Sequence, residues 1–254
     1  MEGLILKEER YKKVLKLIEE NNYVKVSDAA KLLNVTEMTI RRDFALLEKD
    51  GFVERIHGGA KKKEKTSYTE LSHKEKKTLN VDLKKQIAKK AAGLIQENEA
   101  VFIGPGTTNE FIYDYLEVNS ANIITNSISI FNRFQYDKRF ELVLIGGRLR
   151  ERTGTFVGYL ANNWIKDIKV QKAFIGTNGI NLDLVTTADE EELAIQKIIL
   201  ANSQEKYIVA DSTKFGVEAF QVVTTVQEIQ GIITDRSISQ EVEAYYENKC
   251  KIIK

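Results

Sequence analysis

Three groups of residues in this chain have the types and spacing to hold an anion or a polyhydroxylated partner. The first is Arg41-Arg42, set in the run Val35-Thr36-Glu37-Met38-Thr39-Ile40-Arg41-Arg42-Asp43. A guanidinium can bind guanine O6 and N7 through two hydrogen bonds, or grip a phosphate. Thr36, Thr39 and the free amides of a helix start suit phosphate oxygens. The second group is Gly104-Pro105-Gly106-Thr107-Thr108-Asn109. Glycines let the backbone approach an anion closely, and the amides from Gly106 to Asn109 are expected to face it; Pro105 supplies none. The run lacks the third glycine of a dinucleotide-binding loop and the Lys-Ser of a nucleoside-triphosphate loop. The third group, Asp211-Ser212-Thr213-Lys214, sets a carboxylate beside an ammonium. Each has a plainer reading. Arg41 and Arg42 could be surface ion-pair partners of Glu37, Asp43 or Glu48, and the other two runs could be ordinary turns.

Other chemistries are disfavoured. The 254 residues include two histidines, His57 and His73, and one cysteine, Cys250. That is too few ligands for a structural zinc site and leaves no intrachain disulfide. Cys250 lies near the C-terminus, a poor place for a cysteine–histidine nucleophile. No metal and no cofactor are expected. No apolar run is long enough to span a bilayer, and the N-terminus lacks the apolar core of a signal peptide, so a cytoplasmic location is expected. The net charge of +1 hides an asymmetry: residues 1–90 carry +7 and residues 91–254 carry −6. A basic front on an acidic back suggests an anion-binding module joined to something else, although scattered solvated charge would give the same count.

The elements that must position these groups follow from periodicity. Tyr11, Val14, Leu15 and Ile18 mark a first helix. Ser27 is placed to cap a short second helix through Leu33, and Thr36 to cap a third through Lys49, with Gly51 as its stop. Ile40, Phe44 and Leu47 give the third helix its buried stripe. Met38 and Arg42 then point about 160° from Ile40 on either side, and Arg41 lies about 100° away. A strand over 52–56 and the break at Gly58-Gly59 complete a helix-turn-helix with a wing. Residues 61–77 read as a linker, followed by a helix through Ile87, Ala88, Ala91 and Ile95. From residue 99 continuous apolar runs at 101–103, 123–125, 142–145, 173–175, 207–209, 231–234 and 251–253 alternate with helical stretches near 108–117, 127–135, 189–203 and 239–247. That pattern predicts a mainly parallel sheet covered on both faces. Polar motifs recur at the strand ends, where open α/β sheets bind ligands. They include Asn126-Ser127, Gly147, Asn178 and Asp189.

The run 35–43, together with Leu47-Glu48, Gly51 and His57-Gly58-Gly59-Ala60, resembles the signature of the DeoR family of bacterial transcription regulators. The strand-end motifs resemble that family's effector domain, so the resemblance covers nearly the whole chain. It implies a winged helix-turn-helix over 1–60, a linker over 61–77, and an α/β effector domain over 78–254 similar to ribose-5-phosphate isomerase and glucosamine-6-phosphate deaminase. It implies operator DNA as one partner, met by Ser27, Thr36, Glu37, Met38, Thr39, Arg41, Arg42 and His57. His57, taken alone, reads as a surface or packing residue. A sugar phosphate is the implied second partner. Its expected contacts are Lys76, Lys84, Gly104, Gly106, Thr107, Thr108, Asn109, Asn126, Ser127, Gly147, Asn178, Asp189, Asp211 and Lys214. Lys76, Lys84, Asp211 and Lys214 match positions implicated in the inducer response of the family's lactose repressors. Most members resemble Asp-Ser-Gly-Thr-Thr at the first loop; here Gly104-Pro105 replaces Asp-Ser, so no role for that aspartate carries over. The Gly-Pro-Gly-Thr-Thr form resembles the lactose phosphotransferase-system repressors, whose effector is tagatose 6-phosphate. A homo-oligomer, dimer or tetramer, is expected, because one helix-turn-helix makes too few contacts for operator affinity. The expected function is a repressor, not an enzyme. The alternatives are a repressor sensing another phosphosugar, such as fructose 1-phosphate, and an isomerase or deaminase fused to a DNA-binding domain.

Overall fold

The computed structural model describes residues 7–49, 52–62 and 70–254. The front module is built from α1 (Lys7–Asn21), β1 (Tyr23–Lys25), α2 (Val26–Leu32), α3 (Glu37–Lys49), β2 (Val53–Ile56) and β3 (Gly59–Lys62). The stripes read from periodicity are its core: Val14, Leu15 and Ile18 of α1 and Ile40, Phe44 and Leu47 of α3 are all buried in one cluster. Asn34, at φ 51°, makes the left-handed turn between α2 and α3. Thr36 caps α3, its hydroxyl accepting from the Thr39 amide at 3.2 Å. Ser27 does not cap α2. That helix starts at Val26, two residues earlier, because β1 runs straight into it and the Val26 amide donates to the Gly58 carbonyl of the wing at 2.9 Å. The strands form an antiparallel sheet in the order β1-β3-β2. Gly51, and residues 63–69 of the expected linker, lie outside the described residues. The described ends of that linker have structure. β3 runs to Lys62, and α4 (His73–Lys77) carries a reciprocal capping box between Ser72 and Glu75.

The back module is a seven-stranded parallel sheet in the order β15-β14-β12-β9-β4-β5-β6. Its strands are β4 (Ala100–Ile103), β5 (Ala121–Thr125), β6 (Phe140–Leu144), β9 (Val170–Gly176), β12 (Ser203–Val209), β14 (Gly231–Ile233) and β15 (Lys251–Ile253). These are the seven apolar runs read from the sequence. Alternate residues feed the two faces. Val101, Ile103, Ile123 and Phe174 pack with Ile87, Ala88 and Ala91 of α5 (Val81–Ala92) and with Ile130 and Phe134 of α6 (Ile128–Phe134). Phe102, Ile124, Ala173 and Ile175 face the other way, among residues of α7 (Tyr159–Ile165), α8 (Glu190–Ala201) and α9 (Gln240–Glu247). The helix expected near 108–117 is a 3-10 helix over Asn109–Tyr115. Short antiparallel pieces, too brief to show a period, complete the module. They are the ribbon β7 (Arg148–Arg150) with β8 (Thr155–Val157), and the sheet β10-β11-β13 of Gly179–Asn181, Leu184–Thr187 and Gln221–Thr225.

One buried ion pair ties α3 to α1. Asp43 is buried on α3, and Arg10 grips it with two nitrogens, one hydrogen bond being 3.0 Å. The contact with Asp43 holds the Arg10 guanidinium firmly charged, above its ordinary value. Removing one partner strands the other charge. Asp43→Ala is expected to destabilise the front module by about 3 kcal/mol in urea unfolding. The double variant Arg10→Met/Asp43→Leu is expected to recover most of that loss; no recovery would mean that the pair is not the source.

Candidate functional site: an exposed helix and a lysine-bearing cleft

The outer face of α3 is open. Met38 is 61% exposed, and Arg41 and Arg42 are exposed beside it. Arg41 pairs with Glu37 one turn back at 3.3 Å, an exposed contact worth little and easily given up. Arg42 has no ion pair among the described residues. The other two proposed ion-pair partners are engaged elsewhere: Asp43 with Arg10, and Glu48 with Arg55 at 3.8 Å and with the Arg55 amide at 2.9 Å. Thr36, Glu37 and Thr39 sit at the start of α3, and Ser27 lies in the first turn of α2. His57 is exposed in the β2–β3 turn, beside Gly58 at φ 81°. The structure thus brings α3 and the tip of the wing out to solvent as one module.

A cleft of about 270 Å³ lies at the carboxyl ends of β4, β9 and β12. The strand order explains its place. From β4 the chain builds outward through β5 and β6. It then returns to β9 on the other side of β4 and builds the opposite way. The loops after β4 and β9 therefore part, and a crevice opens between them. Pro105, Gly106, Thr107, Thr108 and Asn109 line it from the β4 loop, Gly176, Thr177 and Asn178 from the β9 loop, and Asp211, Thr213 and Lys214 from the β12 loop. The loops nearly touch at their base, where a Cβ on Gly176 would lie 2.9 Å from the Pro105 carbonyl oxygen. Gly106 sits at φ 149°, a conformation open to glycine. The Asn109 side-chain amide donates to the Gly104 and Phe174 carbonyls at 2.9 and 3.2 Å and pins the loop. Among the described residues, no backbone carbonyl accepts from the amides of Gly106, Thr107, Thr108 or Asn109.

Three lysines, Lys76, Lys84 and Lys214, and three carboxylates, Glu70, Glu192 and Asp211, line the cleft. Lys84 of α5 is 4% exposed, and its ammonium donates to the Lys76 carbonyl. Burial pushes its pKa down; Asp211 opposes that, and Lys214 and Lys76 add to it. Lys214 has no ion pair among the described residues. Asp211 spends one oxygen on its own turn, accepting from the amide of Thr213 at 3.0 Å and from its hydroxyl. Lys76 pairs with Glu70 at 2.9 Å, and Glu70 also takes Arg150 at 2.6 Å. Burial works against the Glu70 carboxylate, but Lys76 and Arg150 outweigh it and hold its pKa below the usual range. Arg150 further meets Asp189 at 2.9 Å and Glu192 at 3.1 Å. Burial pushes the Glu192 carboxyl up, against the Thr153 hydroxyl and Arg150. His73 approaches Glu110 and, at 3.3 Å, Ser129, but both contacts use the same ring nitrogen, Nε2. A serine–histidine–carboxylate relay needs the two nitrogens in separate roles, so this is not one.

The cleft thus gathers Lys76, Lys84, Gly106, Thr107, Thr108, Asn109, Asn178, Asp211 and Lys214 of the expected residues. Five others lie outside its lining. Gly104 is held back by its own amide, which donates to Phe174. Asn126 and Ser127 follow β5, where Asn126 bonds the Phe156 carbonyl at 2.9 Å. Gly147 follows β6, where a Cβ would meet the Val157 carbonyl at 2.7 Å. Asp189 caps α8 by accepting from the amides of Glu191 and Glu192. Being at a strand's carboxyl end was not enough: the loops after β4, β9 and β12 line the cleft, and those after β5 and β6 do not. Several lining residues were not foreseen, among them Glu70, Leu71, His73, Leu79, Asn80, Thr153, Glu192 and Gln196. A signal existed for two of them: Glu192 and Gln196 are polar interruptions, one turn apart, on the buried face of apolar α8.

Comparison with known proteins finds two family models along the chain. The family model for the DeoR-like helix-turn-helix domain matches residues 10–66, and that for the DeoR C terminal sensor domain matches residues 79–236. The lactose phosphotransferase system repressor of Staphylococcus aureus (strain NCTC 8325 / PS 47) is 36% identical over 239 residues, covering 93% of this chain and 95% of that one. The repressor of the same name from Streptococcus mutans serotype c is 35% identical over 231 residues, covering 90% and 92%. Among solved structures, ribose 5-phosphate isomerase A of Methanocaldococcus jannaschii aligns with 54% of this chain and 55% of its own, at 20% identity and a TM-score of 0.38. With a helix-turn-helix model matching the front, a sensor-domain model matching the back, and relatives alike over nearly their full length, the chain belongs to the DeoR family of transcription regulators.

Proposed function

We propose that this chain represses a sugar-catabolic operon, that for lactose or galactose, and is released from its operator by tagatose 6-phosphate. The observation that carries the reading is the cleft at the switch point. Three lysines, Lys76, Lys84 and Lys214, converge there with open backbone amides. A buried ammonium with lowered proton affinity is stabilised when a dianion enters. The protein works in the cytoplasm as a homodimer or tetramer, so that two recognition helices meet two half-sites. Among the described residues no helix is long and apolar enough to cross a membrane. The cleft binds without turnover.

Release follows from the connector. Residues 70–80 follow the wing in the chain and form one wall of the cleft through Glu70, Leu71, His73, Lys76, Leu79 and Asn80. Glu70 holds Lys76 and Arg150 as an internal anion. A phosphate competes for Lys76, so the bound and free states differ in how the connector is held. That differential affinity shifts the population away from the DNA-fitting arrangement.

Four outcomes test these assignments. In gel-shift titration, Arg42→Ala is expected to weaken operator binding about 10- to 100-fold, and Arg41→Ala less, since Arg41 is already paired in the free protein. A thermal-shift panel is expected to give its largest rise with tagatose 6-phosphate, with no product formed on incubation. Lys84→Met should abolish that rise, and a larger shift with fructose 1-phosphate would overturn the assignment of the sugar. Lys84 also predicts a pH dependence in the ligand-free protein. Its folded pKa is lowered, so the unfolded chain binds more protons between that value and the ordinary one. Wild-type stability should therefore gain across that window as pH rises, relative to Lys84→Met, in urea unfolding at stepped alkaline pH. Finally, Glu70→Gln removes the competing anion. It is expected to tighten inorganic phosphate binding severalfold and to weaken the repressor's hold on DNA in the absence of sugar. Unchanged values for both would sink the connector mechanism.

A further inference from the structure

The lysines and amides account for a phosphate but not for a sugar. Two buried side-chain oxygens in the cleft wall have no donor among the described residues: Oδ1 of Asn109 and Oε1 of Gln196. Asn109 is 1% exposed and Gln196 is 7% exposed. Their orientation is set by their nitrogens. Asn109 Nδ2 donates to two carbonyls, which fixes its oxygen as the group left over. Gln196 Nε2 faces the Gly176 carbonyl at 3.4 Å, which does the same. Buried acceptors without donors are uncommon and costly. These two flank a shared floor. Gly176 lies against Pro105 and Gly106, and Gly106 lies against the Asn109 side chain. Gly176 packs tightly under the Pro105 carbonyl, whereas a Cβ on Gly106 would meet only the Asn109 side chain at 3.9 Å, so the space beside Gly106 is open.

We infer that Asn109 and Gln196 are the hydroxyl-recognising residues of the cleft, with Gln196 of α8 the specificity-determining side chain. The inference rests on the phosphosugar reading and extends it. The ligand's phosphate meets the lysines, and its carbon chain lies over the glycine floor and donates at least two hydroxyl protons to the two amide oxygens. A phosphate without hydroxyls leaves both acceptors unpaired and gains nothing beyond its charge. A site built to bond a hydroxyl discriminates strongly against ligands that lack it.

Gln196 is the position to vary, because Asn109 also pins the loop through its two donor bonds. Calorimetric titration of full-length Gln196→Met with D-tagatose 6-phosphate and with inorganic phosphate is the test. Sugar-phosphate affinity is expected to fall about tenfold or more, while inorganic phosphate stays within about twofold. Equal loss for both ligands, or no loss for either, overturns the inference. A second measurement needs no variant: hexyl phosphate is expected to bind wild-type protein no more tightly than inorganic phosphate. If it binds as tightly as the sugar phosphate, hydroxyl recognition is wrong while the phosphate site stands. If wild-type protein binds neither phosphate nor sugar phosphate, the phosphosugar reading fails and takes this inference with it.

Discussion

Neighbouring parallel strands cannot be joined by a tight turn, so each must be followed by a crossover that returns the chain to the same end of the sheet. Here the crossovers run outward from β4 to β6 and then resume at β9, on the opposite side of β4. At that single reversal the two loops leading away from the sheet diverge. The cleft, its glycine floor and its polar lining all depend on it. Gly176 must be small because the β9 loop passes under Pro105. Asn109 must be an amide because it donates to two carbonyls at once, that of Gly104 after β4 and that of Phe174 on β9. Lys84 reaches the crevice because α5 covers the sheet face beneath β4 with its alanines and Ile87.

The electrostatics of the cleft are those of a site prepared for an anion. Burying an ammonium without a carboxylate partner in contact is unfavourable, and Lys84 is stabilised by one carbonyl and by the more distant Asp211 and Glu110. Lys214 adds repulsion. By contrast, every carboxylate of the Glu70–Arg150–Glu192 cluster has a donor. The cluster therefore holds its segment of the connector in place, while the lysine end remains electrostatically strained. On the proposed reading, stability is surrendered at the end where a ligand charge restores it.

Much of the fold could be read from pattern because buried parallel strands are continuous apolar runs, and all seven of them stood out. Recognition helix α3 was equally plain, since Ile40, Phe44 and Leu47 mark one face and the arginines another. What escaped was short or relational. β1 and β10 have three residues each, fewer than any period needs. Ser27 looked like a cap, but the true start of α2 is satisfied by Gly58, a residue of the wing. The site was legible at the β4, β9 and β12 loops as polar strand-end motifs. Yet the loops of β5 and β6 carried similar motifs, and nothing local distinguishes them. Which loops border the cleft is decided by strand order, a long-range property. The contribution of Glu70 was hidden for the same reason: its partners lie on β7 and α4, and only the folded chain brings them together.

Among the described residues the two modules are joined by two routes, and physics separates their roles. Through one, α1 packs on α9 and the Phe52 ring lies 6.2 Å from Tyr245, whose hydroxyl donates to Asp183. That contact sits beside β15, at the edge of the sheet, and none of these residues lines the cleft. Through the other, residues 70–80 lead from the DNA-binding module and line the cleft themselves. A ligand can bias an equilibrium only through contacts that differ between the two states. On the proposed reading, those contacts are with the connector: Lys76 is shared between Glu70 and the incoming phosphate, and Lys84 donates to the carbonyl of Lys76. The α1–α9 contact then serves as the fixed seat from which the front module moves, and the signal passes through the side chain that the ligand and the connector both claim.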